Sequence, residues 1–183
     1  MTQDQFNTLK EDFITNIREY VTENGSIFPH ISIFADVRNP STEEENIPAL
    51  IHIPIPDELM MDDEGKDKFV NKVFPKIAEE VKKKFVPTAL AWTAEAWVRT
   101  MDKNKDLEKT NWKELPIEKE VVIITIESND DKKCVIYDII RNGKQITPEG
   151  DMVDKVELIE AKNLAHPDGI GGRFSGLFAK LKD

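Results

Sequence analysis

The sequence predicts an α+β fold: a mainly antiparallel sheet built from hairpins, with helices packed on one face. Three observations predict it. Alternating apolar runs occur in pairs across polar turns, at 27–37 with 47–55 and again at 120–127 with 133–141. Helical periodicity is confined to residues 3–23, 66–85 and 174–181. Strands therefore do not alternate one-for-one with helices, as a doubly wound parallel sheet would require.

Residues 3–23 carry Phe6, Leu9, Phe13, Ile17, Tyr20 and Val21 at helical spacing, and Asn24-Gly25 is a stop signal. In 27–37, Ile31, Ile33, Ala35 and Val37 alternate with His30, Ser32, Phe34 and Asp36. The acidic turn 39–46 leads to 47–55, where Ile47, Ala49, Ile51, Ile53 and Ile55 share a side. Pro48, Pro54 and Pro56 place this second strand at a sheet edge. Residues 66–85 read as a helix kinked or delayed by Pro75, and Pro87 ends it. Residues 88–98 are small and apolar on both faces, as expected of a central strand. A charged connection over 100–119 precedes the second hairpin, and 155–160 is a last short strand.

A chain of 183 residues fits a single α+β domain spanning 1–183. A flexible Gly-rich link near 166–173 is expected before the short C-terminal helix. The apolar fraction is 39%, clustered and periodic enough for a packed core. Net charge is −10, which repels phosphate backbones, so no nucleic-acid partner is expected. A single cysteine, Cys134, excludes an internal disulfide and a Cys-based zinc site. Met1-Thr2-Gln3-Asp4-Gln5 lacks the basic and apolar regions of a signal peptide, and no apolar run approaches the ~20 residues that span a bilayer. The expectation is a cytoplasmic protein with no membrane partner.

Ala91-Trp92-Thr93-Ala94-Glu95-Ala96-Trp97, followed after a charged loop by Pro116-Ile117-Glu118-Lys119-Glu120, resembles a loose group of uncharacterised prokaryotic and phage proteins. In that group a small-residue strand ends in Glu-Ala-Trp and a later strand opens with an acidic residue. The resemblance covers 66–141 and implies an α+β fold. It implies no activity.

Four patterns invite a chemical reading. Asp102, Asn104 and Asp106 open like a calcium loop, but Leu107 and Lys113 stand where glycine and the bidentate glutamate belong. Gly169, Gly171, Gly172 and Gly176 lack both the Gly-Lys-Ser/Thr of a phosphate loop and a preceding βαβ strand. Glu95, among Ala94, Ala96, Trp92 and Trp97, is either a perturbed general base or a structural carboxylate, exposed at a strand end or paired with Arg99 or Arg141. His30 and His52 are the strongest pair. If the isoleucines share the core face, both histidines, Ser32 and Asp36 fall on the opposite, wetter face. Two histidines with Asp36 would make a metal site, but only one carboxylate is near. Cys134 lies mid-strand as an inert thiol, and no cofactor motif is present.

The residues point first to a non-catalytic accessory or interaction protein, acting on a protein partner or as a homo-oligomer. The alternative is a small metal-dependent hydrolase using His30, His52 and a carboxylate, Glu95 or Asp36.

Overall fold

The structure is a computed structural model that describes residues 2–37, 47–99, 111, 114–129, 131–161, 174 and 176–182. The first hairpin joins β1 (His30–Val37) to β2 (Pro48–Pro54), with Ile31 opposite Ile53 and Ile33 opposite Ile51. β3 (Phe85–Arg99), β4 (Ile117–Ser128), β5 (Lys132–Ile146) and β6 (Met152–Glu160) complete one sheet in the order β2-β1-β3-β4-β5-β6. Every neighbouring pair is antiparallel, including the expected β4–β5 hairpin. β2 is an edge strand and β3 is central, as their prolines and small residues predict. β3 and β6 are longer than their sequence patterns suggest. β3 runs back through Pro87 because a bulge at Thr88, whose hydroxyl donates to the Phe34 carbonyl at 3.1 Å, absorbs the missing proline donor. The calcium-like spacing at 102–106 and the expected flexible link near 166–173, with Gly169, Gly171 and Gly172, lie outside the described residues.

The helices flank both faces of the sheet, not the single face the sequence suggests. α1 (Gln3–Asn24) buries Phe6, Phe13, Ile14, Ile17 and Val21 against Phe34, Ala89, Ala91, Val122, Ile124, Ile126 and Tyr137. On the opposite face, α2 (Asp63–Lys68), a wide turn at Phe69–Val73, α3 (Phe74–Lys84) and α4 (Leu177–Lys182) cover Ile31, Ile33, Ala35 and Leu90. The physical reason lies in β1, which is apolar on both sides. Ile31, Ile33 and Ala35 point one way and Phe34 the other, all at 1% exposure or less. A strand buried on both faces needs cover on both. Pro75 sits in the first turn of α3, and the wide turn before it carries the Phe74 amide back to the Phe69 carbonyl, five residues upstream.

α1 is fixed at both ends. Thr2 and Gln5 form a reciprocal capping box at the start. At the end, Gly25 adopts φ +75°, and a Cβ there would lie 2.6 Å from the Asp154 carbonyl oxygen. No helix among the described residues is long and apolar enough to cross a membrane.

Candidate functional site

β1 and β2 place His52 directly opposite Ser32, and His30 one pleat along the same side. The isoleucine register that pins the opposite face dictates this, because a one-residue slip would turn Ile51 and Ile53 outward. The two imidazole centroids lie 5.8 Å apart. On β1 that face is covered by α1, with Ser32 fully buried, while on the edge strand β2 it is the wetter side, as the sequence suggests: Leu50 and His52 are exposed and Ile51 and Ile53 half-buried. The exposed His52 ring stacks against Phe13 of α1, centroid to centroid 6.3 Å.

Both Nδ1 atoms are engaged. His30 Nδ1 lies 3.0 Å from the Phe28 carbonyl oxygen, and His52 Nδ1 lies 2.8 Å from Ser32 Oγ. A carbonyl only accepts, so the proton of a neutral His30 sits on Nδ1 and Nε2 is left as an acceptor. Burial holds the His30 pKa below its ordinary 6.5, the Phe28 bond opposes this, and the neighbouring His52 lowers it further. His30 is therefore neutral at physiological pH.

The pair lines a groove of about 380 Å³ between α1 and the first hairpin. Phe13, Ile17 and Tyr20 form the helix wall, Ile27, Phe28, Leu50 and Pro54 the strand side, and Asn16 adds one amide. Tyr20, Phe28 and Leu50 remain 47%, 67% and 38% exposed, so the groove has an apolar rim open to solvent. Phe13 and Tyr20 belong to the helical stripe visible in the sequence. Their use as a wall over His52 is a tertiary fact, and the sequence signal closest to it is Phe28 immediately before the strand.

The predicted carboxylates do not join the pair. Asp36 is buried at the far end of β1, six residues and roughly 20 Å from His30. Glu95 shares the sheet face but is otherwise occupied. Its Oε1 accepts from the Ile27 amide at 2.9 Å, and its Oε2 faces Arg141 at 3.3 Å, the structural pairing the sequence allowed. Burial raises the Glu95 pKa, which the Ile27 amide and Arg141 oppose. Among the described residues, no three His, Cys, Asp or Glu side chains are grouped to hold a metal ion. Cys134 is half-buried, its pKa raised by that burial, with Thr125 Oγ1 at 3.6 Å.

A stability test follows from the lowered His30 pKa. The unfolded chain takes up a proton at pH 6.5, before the folded one does, so stability is full above that value and falls as pH drops below it. The expected result is a urea midpoint that falls between about pH 7.5 and pH 5.5 in the wild type and falls less in His30→Asn. Parallel pH profiles for the two proteins would contradict it.

Comparison of the chain with protein-family models, with curated proteins and with solved structures finds no match in any of the three.

Proposed function

We propose that the protein is a non-catalytic interaction module that receives an apolar, hydrogen-bond-donating side chain of its partner in the groove between α1 and the first hairpin. The observation that carries this reading is the groove itself. Its walls are mainly apolar, its rim exposes Tyr20, Phe28 and Leu50, and the polar groups among its lining side chains are two imidazoles, one amide and the Tyr20 hydroxyl. Interaction sites favour such a buried apolar pocket with a few placed polar groups. The neutral His30 Nε2 accepts, so a tryptophan or tyrosine side chain matches the site better than a carboxylate or an aliphatic one.

Indole and p-cresol, mimics of those side chains, test the reading by amide NMR titration. Saturable shifts at Ile17, Tyr20, Leu50 and His52 are expected. His30→Ala should weaken indole about three- to tenfold, the worth of one hydrogen bond. Wild-type affinity should also decline as pH falls and His30 Nε2 gains a proton. Shifts that stay linear, or scatter over the whole sheet, would defeat the proposal.

One observation favours a second reading, the metal-dependent hydrolase. With both Nδ1 atoms bonded, each histidine keeps Nε2 for a ligand, which is how metal-bound imidazoles are oriented. Elemental analysis separates the two readings. Near-stoichiometric zinc, manganese or iron, lost in a His30→Ala/His52→Ala variant, would put the hydrolase first.

A further inference from the structure

We propose that β2 is a dimerisation edge, pairing antiparallel with β2 of a second copy about a twofold axis through Ile51 and joining the two sheets into one. The inference concerns the backbone of the edge and does not rest on what the groove binds.

The hydrogen-bond phase of the hairpin is the first support. The Val37 amide donates to the Ile47 carbonyl and the Ile55 amide to the Pro29 carbonyl, at 2.9 and 2.8 Å. Antiparallel ladders alternate, so Ala49, Ile51 and Ile53 turn their amides and carbonyls toward β1. Pro48, Leu50, His52 and Pro54 then turn theirs away from it, at the end of the sheet. The outward edge offers two donors, Leu50 and His52, bracketed by two prolines that have none.

That pattern is self-complementary about Ile51. Leu50 and His52 lie one residue on either side of it, and Pro48 and Pro54 three residues on either side. In an antiparallel pair centred there, Leu50 faces the second copy's His52 and the reverse, so each pairing exchanges two N–H···O=C bonds. Pro48 meets the second copy's Pro54, a pairing that has no N–H donor, so their outward carbonyls stay bonded to water at the two ends of the seam. A twofold interface demands this matching of a surface with itself.

Charge is the second support. A protein with net charge −10 would ordinarily repel its copy. Residues 47–56 contain no Asp, Glu, Lys or Arg, so the paired strands themselves juxtapose no like charges, although Glu43, Glu44 and Glu45 and then Asp57 and Glu58 flank them in the chain. The other edge strand, β6, carries Asp154, Lys155, Glu157 and Glu160, the usual protection of an edge against pairing. Ile47 and Leu50, 61% and 38% exposed, add apolar area along an edge that prolines guard at its two ends and not at its centre. A seam of this length is small by the standard of stable interfaces, which bury roughly 1,200–2,000 Å², so weak association in the micromolar range is expected.

Sedimentation equilibrium and residue-resolved amide exchange test the proposal together. The wild type should pass from monomer to dimer between about 5 µM and about 500 µM. Over the same range exchange should slow at the Leu50 and His52 amides and stay unchanged at Ile51 and Ile53, which already bond to β1. Leu50→Lys should remain monomeric with wild-type circular dichroism, while Ile159→Lys on β6 should dimerise normally. A wild type that stays monomeric, a dimer that survives Leu50→Lys, or one lost in Ile159→Lys would overturn the proposal. If Leu50→Lys does not fold, the exchange measurement on the wild type decides alone. No concentration-dependent protection at Leu50 and His52 refutes it.

Discussion

Phe34→Ala is expected to cost about 3–5 kcal/mol, the range for removing a buried aromatic without collapse of the site. Phe34 is 1% exposed and sits under α1 at the middle of β1. Phe6 and Phe13 meet it edge-to-face, with centroids at 6.0 and 5.5 Å and interplanar angles of 85° and 74°. Edge-to-face pairs contribute about 0.5–1.5 kcal/mol beyond area burial, and this ring makes two. The cavity has little means of closing, because β1 is fixed by ladders to β2 and β3 on its two sides. A loss of this size is a large share of the 5–15 kcal/mol that holds a typical domain together. Urea unfolding should show a lower midpoint with an unchanged slope. Phe13 also stacks on His52, so the same variant should loosen the groove wall and broaden the Phe13 and Tyr20 resonances. A loss below about 1.5 kcal/mol would mean that α1 is held chiefly by its other contacts.

Phe34 also explains which part of the architecture was legible. The paired alternating runs specified the hairpins and their register, because each slip would turn a row of isoleucines to the wrong side. The same register put His30 and His52 together correctly. Helices on both faces were harder to read, since the even residues of β1 mix His30, Ser32 and Asp36 with Phe34, and that polar majority suggested a wet face. One phenylalanine in that set was the signal of a second layer, and α1 supplies the layer. The groove was less legible still. It exists because α1 crosses the hairpin with Phe13 over His52, and no spacing within either segment encodes where the two meet. Glu95 was legible only as a choice of roles. Its partners Ile27 and Arg141 are 68 and 46 residues away in the chain, brought near by strand order.

Arg141→Met should destabilise by about 2–3 kcal/mol, less than a fully buried charge network would lose, because the side chain is 30% exposed and partly screened. Arg141 lies where α1 ends over β3, β4, β5 and β6. Its Nε reaches Glu120 at 2.7 Å, its Nη2 Glu95 at 3.3 Å, and its Nη1 Asp154 at 3.5 Å. Nη1 also donates to the Gly25 carbonyl at 2.7 Å, at the residue that caps α1. Gln145 supports the same helix end, donating to the Thr22 and Glu23 carbonyls at 2.5 and 3.0 Å. Methionine keeps much of the aliphatic stem but leaves three carboxylates with one cation, Lys144, which holds Asp154 at 2.6 Å. The sign with pH follows. Burial already raises the Glu95 pKa, and losing Arg141 removes one of the interactions that oppose the rise. The folded variant therefore binds more protons than its unfolded chain above the ordinary carboxylate value of 4.5, and its stability declines as pH rises through the raised Glu95 value. The deficit relative to wild type should be larger at about pH 7 than at about pH 5. Glu95→Gln in the Arg141→Met background should recover part of it, because glutamine still offers an oxygen to the Ile27 amide and removes the uncompensated charge. Urea unfolding of the four proteins in that cycle measures the coupling. A coupling of zero, or a deficit unchanged between the two pH values, would show that Arg141 acts through the Gly25 carbonyl and not through its carboxylates.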